Sequence, residues 1–141
     1  MMTSARTNVL AALAIAAFVA CGGGAKKVAL EPTQAVAAAK GKVRAERTDS
    51  GNTKLDVEVQ FLAPPGRVAP GSQVYVVWAQ RDDKSAPQNI GALAVGSDRK
   101  GKLQTLTPLD RIDVFLTPEP AGGATEPTNE AVMRTRVEPA P

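Results

Sequence analysis

Lys54-Leu55-Asp56-Val57-Glu58-Val59-Gln60-Phe61 alternates apolar and polar side chains without a break. A period of two is the mark of a β-strand with one face in a core and one in water. It places Leu55, Val57, Val59 and Phe61 on the buried side. Downstream, Gln73-Val74-Tyr75-Val76-Val77-Trp78-Ala79 is apolar on both faces and rich in β-formers, which predicts a central strand. Shorter runs follow at Asn89–Val95, Lys102–Thr107, Arg111–Thr117 and Ala131–Val137, and Gly41–Arg47 supplies a strand ahead of Leu55. Turn chemistry separates them: Asp49-Ser50-Gly51-Asn52, Pro64-Pro65-Gly66, Pro70-Gly71, Asp98-Arg99-Lys100-Gly101 and Pro108-Leu109-Asp110. Short strands at this spacing, without a sustained helical pattern, predict an all-β domain. The expected form is an immunoglobulin-like antiparallel β-sandwich of about seven strands over residues 35–138. Ala35–Lys40 has room for one helical turn before Gly41 ends it. Trp78 is expected in the core between two sheets.

The N-terminus reads differently. Met1–Asn8 is polar and carries one cation, Arg6, and Val9–Ala20 is an unbroken apolar run. Twelve residues reach roughly 18 Å as a helix, short of a hydrocarbon core of about 30 Å. This is the length of an export signal ending in small residues. The one Cys of the chain follows at once. Phe18-Val19-Ala20-Cys21 resembles a bacterial lipobox, with Phe18 where Leu is usual. The resemblance implies cleavage after residue 20 and lipid attachment at Cys21, so that the membrane is a partner through the N-terminal lipid. Residues 21–34, beginning Gly22-Gly23-Gly24-Ala25-Lys26-Lys27, are expected to be a flexible tether. Gly22 stands where Asp would resemble an inner-membrane retention signal. Residence in the cell envelope follows, in the outer membrane if the source has two.

Composition narrows the function. There are 17 basic and 14 acidic residues and no His. Basic residues lie scattered among acidic ones, which argues against nucleic acid as a partner, since phosphate binding needs clustered Lys and Arg. The usual neutral-pH acid–base group and commonest metal ligand is missing. Asp82-Asp83 is a possible carboxylate pair, but Arg81 and Lys84 flank it and mark a solvated turn. Asp98, Asp110 and Asp113 lack calcium-loop spacing. Ser50, Ser72, Ser85 and Ser97 sit in turns with no His to activate them. Gly22–Gly24 follows no strand and is no phosphate loop. These residues nominate no catalytic, cofactor or metal site.

Tyr75-Val76-Val77-Trp78, Ile90-Gly91-Ala92-Leu93, Gly101-Lys102-Leu103, Thr117-Pro118-Glu119-Pro120-Ala121-Gly122-Gly123-Ala124 and Pro127-Thr128 follow one another in an order that resembles the extracytoplasmic domain of the anti-sigma-K factor family. The likeness covers roughly residues 70–137, with Ala124 where Ser is common and Asn129 where Gly is common. It implies the outer module alone, because no sigma-binding helical domain precedes it. The expectation is a lipid-anchored envelope protein whose β-sandwich binds an envelope protein or senses, without catalysis. The alternative is a cell-envelope hydrolase working with carboxylates. Within Thr117–Asn129, three prolines and Gly122-Gly123 predict a structural connection, with Glu119 accepting backbone N–H groups that hold it.

Overall fold

The computed structural model describes residues 25–139, so Cys21 and the export signal expected over residues 1–20 lie outside the described residues. Eight strands make up the domain: β1 (Lys26–Pro32), β2 (Lys40–Arg47), β3 (Thr53–Gln60), β4 (Val74–Gln80), β5 (Gln88–Leu93), β6 (Gly101–Thr107), β7 (Ile112–Glu119) and β8 (Met133–Val137). All seven expected strands are present, and the domain is all-β.

The strands form a single sheet in the order β5-β4-β7-β8-β1-β2-β3-β6. Every neighbouring pair is antiparallel. The sheet folds over on itself about β1. That strand pairs with β2 along Lys26–Leu30 and with β8 at Glu31 and Pro32, so it joins the two halves of a sandwich. The outer strands β5 and β6 meet at the far side. There the Leu103 side chain packs over Gly91, and Thr105 Oγ1 donates to the Ile90 carbonyl at 2.8 Å. Gly91 has φ 147°, and a Cβ there would lie 2.9 Å from Leu103. The result is close to a barrel. In an immunoglobulin sandwich the third strand crosses to the second sheet. Here β1, β2 and β3 are consecutive neighbours, and the crossing comes one strand later, with β4.

One core fills the space between the halves. Val43, Ala45, Leu55, Val57 and Val59 face Tyr75, Val77, Ile112, Val114, Leu116 and Met133, all essentially inaccessible to water. The alternation of β3 holds through Val59 and then breaks. Phe61 adopts φ 55°, and it is Leu62 that becomes fully buried, leaving Phe61 55 % exposed. A left-handed residue turns the chain out of the sheet, so the period of two ends at Gln60. The Leu62 amide then bonds the carbonyl of Arg99, another left-handed corner.

Residues 26–34 are not tether. Lys26–Pro32 is β1, and Gln34–Val36 is a single 3-10 turn. The apolar pattern of β1 is thin, with Leu30 its one fully buried side chain. Its place is set by backbone pairing to strands on both edges, which no local periodicity reports. The folded domain therefore starts at Lys26, nine residues before the expected boundary.

Candidate functional site

β4 is apolar on both faces because both are covered, by different things. Tyr75, Val77 and Ala79 enter the main core, whereas Val76 and Trp78 point outward and form a second, small cluster with Phe115. Trp78 is fully buried, but not between the sheets. Its lid is the connection from β7 to β8, which contributes Ala124 and Ala131 to the cluster. The Trp78 and Phe115 rings lie 6.4 Å apart, and the Arg134 guanidinium stands 5.5 Å from the Phe115 centroid.

Polar side chains fasten this lid. Trp78 Nε1 donates to Thr117 Oγ1 at 2.8 Å, and Thr117 Oγ1 donates to Glu119 Oε1 at 2.7 Å. Glu119, fully buried, also accepts the Thr128 amide at 2.9 Å and the Thr128 hydroxyl. Asn129 Nδ2 donates to the Pro118 carbonyl at 2.7 Å. Asn89, on β5, donates to the carbonyls of Gly122 and Ala124 at 2.9 and 2.8 Å. Burial pushes the Glu119 carboxyl up, but the bonds from Thr128 and Thr117 outweigh it and hold the group below its usual range. Glu119 is thus an ionised tie that holds the loop, as its place in Thr117–Asn129 predicts.

A second feature is the outer face of β1, β2, β3 and β6. Its register aligns Lys27, Arg44, Asp56 and Gln104 in one row, and Ala29, Lys42, Glu58 and Lys102 in the next. All of these but Ala29 line an open cleft of about 410 Å³. Lys42 Nζ lies 3.1 Å and Lys102 Nζ 3.5 Å from the Glu58 carboxylate, and Gln104 donates to Asp56 at 2.8 Å. The Lys42 hydrogen bond, with the charges of Lys42 and Lys102, lowers the Glu58 pKa in spite of some desolvation. Glu58 is therefore set as an anionic partner and not as a proton donor at neutral pH.

The other sequence candidates lie apart. Asp82 Oδ1 caps its own turn, accepting the Lys84 and Ser85 amides and the Ser85 hydroxyl. Those bonds lower its pKa, the Ser85 hydroxyl contributing most. Asp98 accepts the Lys100 amide, and Asp113 pairs with Arg136 at 2.7 Å. Ser50 bonds within the β2–β3 hairpin, and Ser72 is buried beside the short helix Pro65–Val68. Among the described residues no group of three or more His, Cys, Asp or Glu is placed to hold a metal ion. No described helix is long and apolar enough to cross a membrane. Asn89 is the contact that reading the sequence missed. Its signal is an amide side chain inside a strand, two residues before a glycine, at a bulge where the β4–β5 register shifts.

The chain matches no protein family, no curated protein and no solved structure.

Proposed function

We propose that this chain is a lipid-anchored protein of the bacterial envelope, whose β domain is a non-catalytic binding or sensory module of the kind found outside the membrane in anti-sigma-K factors. The observation that carries this reading is a spacing. The sole Cys stands directly after a twelve-residue apolar run and five residues before the first strand. A domain so close behind its acylated residue is held at the membrane surface. The residues that carry the family likeness support a shared scaffold and not a shared ligand. Trp78, Thr117, Glu119 and Thr128 spend their polar atoms on one another.

The hydrolase alternative calls for a carboxyl kept protonated in an apolar setting. Glu119 and Glu58 are both lowered, which weighs against it. The test has two arms. Metabolic labelling with a palmitate analogue should mark the wild-type chain and leave Cys21→Ser unlabelled. Label retained in Cys21→Ser ends the lipoprotein reading. Affinity capture from detergent-solubilised envelope should then recover a protein partner. Turnover of purified cell-wall polymer by the wild type, lost in Glu58→Gln, would restore the hydrolase.

A further inference from the structure

The outer face of the β1-β2-β3-β6 half combines three properties. Its cleft is lined by four cations, Lys27, Lys42, Arg44 and Lys102, against two carboxylates. Both carboxylates are occupied, Glu58 by Lys42 and Lys102 and Asp56 by Gln104. No acidic side chain pairs with Lys27 or Arg44 among the described residues. The carboxylates belong to the half-buried middle strand β3, while the cations stand further out, the Lys102 side chain being 77 % exposed.

The second property is an exposed leucine. Leu106, 59 % exposed, is one of two large apolar side chains left in water among the described residues, and it lies on this face. The third is the position of that leucine. The row that starts at Lys26 runs through Ala45 and Leu55 to Thr105, and Leu106 is the next residue along β6. Three strand spacings separate Lys26 from that point, about 14 Å. Five residues from Cys21 to Lys26 reach at most roughly 18 Å. The lipid-bearing residue can therefore come down beside Leu106.

We infer that this face rests on the membrane, with Lys27, Lys42, Arg44 and Lys102 against anionic lipid headgroups and Leu106 entering the interface. The inference rests on lipid attachment at Cys21. Exposed cations near an anionic leaflet are drawn to it, and each adds to the attraction within a Debye length. A leucine at the same level adds an apolar contact. The opposite side of the domain, carrying the β7–β8 connection, then faces away from the bilayer and is free for a protein partner.

The experiment uses the lipidated full chain, purified from the envelope and reconstituted into vesicles of phosphatidylcholine, with and without phosphatidylglycerol. Leu106→Cys is labelled with an environment-sensitive dye, and Thr125→Cys, in the β7–β8 connection, serves as the control. Emission from position 106 should shift to the blue in anionic vesicles, and that from position 125 should stay at its value in water. Lys27→Gln with Arg44→Gln, which leaves both lysines of the Glu58 pair in place, should remove the shift while thermal melts stay unchanged. Lysine acetylation offers a readout free of new cysteines: Lys27, Lys42 and Lys102 should react on the order of threefold more slowly on anionic vesicles than in detergent, and Lys84 should not change. Intact mass separates the two failures. Protein carrying no acyl chain overturns both the anchor and the docked face. Acylated protein in which position 106 reports water, or in which the lysines react as in detergent, overturns the docked face alone.

Discussion

Trp78 Nε1 lies 2.8 Å from Thr117 Oγ1, and the same hydroxyl lies 2.7 Å from Glu119 Oε1, so an indole on β4 reaches a buried carboxylate through a single oxygen. Removing that oxygen strands a donor at one end and thins the support of a charge at the other. Thr117→Val should cost about 1–3 kcal/mol, the range for leaving a buried polar group unmet. Thr117→Ser, which keeps the hydroxyl, should cost less than half as much. Denaturant melts with an unchanged slope would measure both. Equal losses for Val and Ser would mean that the methyl group and not the bond matters.

Glu119 makes stability depend on acid. Its carboxyl is lowered in the folded chain, so its contribution is complete above the carboxylate range of the unfolded chain. It is lost as pH falls through the lower folded value. Glu119→Gln should flatten that part of the stability–pH curve and leave the β-sheet circular dichroism unchanged. Thermal melts from pH 7 down to about pH 3 follow it. An unaltered acid limb in Glu119→Gln would assign the loss to other carboxylates, with Glu58 and its two lysines the first to examine.

The paired glycines of the β7–β8 connection should not behave alike. A Cβ at Gly122 would stand 2.8 Å from the Ala92 Cβ, whereas one at Gly123 would meet nothing within 4 Å. Neither glycine has a positive φ. Gly122→Ala should destabilise by about 1–3 kcal/mol through overpacking against β5, and Gly123→Ala should be close to neutral. The constraint on the pair is close approach at Gly122. Comparable melting temperatures for the two variants would refute it.

Tyr75 sets the alkaline limit. Its ring lies in the core, its hydroxyl donates to the Ala63 carbonyl at 2.5 Å, and burial pushes its pKa up to about 12. A raised value in the folded state means full stability below the tyrosine range of the unfolded chain, near pH 10, and progressive loss as pH rises toward the folded value. Tyr75→Phe should weaken the protein by about 1 kcal/mol at neutral pH and reduce the loss between pH 10 and 12. Far-ultraviolet circular dichroism during an alkaline titration checks this. The same alkaline midpoint in both proteins would assign the transition to lysine deprotonation instead.

Seven strands were legible because each carries its own record: a period of two in Leu55–Val59, β-branched density in Val74–Val77, and turn residues between. Glu119 was legible as a loop anchor because a lone carboxylate between two prolines has few other uses. Asn89 was not, since its partners lie 33 and 35 residues away. Phe61 leaves the buried face because the backbone turns left-handed there, although the alternation continues in sequence through that residue.

The sequence alone determined the all-β character, the strand positions from Lys40 onward, the absence of any histidine chemistry, and a connection that prolines keep out of a ladder. These are local matters of side-chain alternation, backbone freedom and residue type. Tertiary structure decided the rest. It made β1 a strand by offering it partners on both edges, and it turned Trp78 outward under the β7–β8 connection instead of into the space between the halves. It also brought Leu106, Lys27, Lys42, Arg44 and Lys102 to one outer face. In each case the deciding quantity is what covers or pairs a surface, and the covering segment lies tens of residues away in the chain.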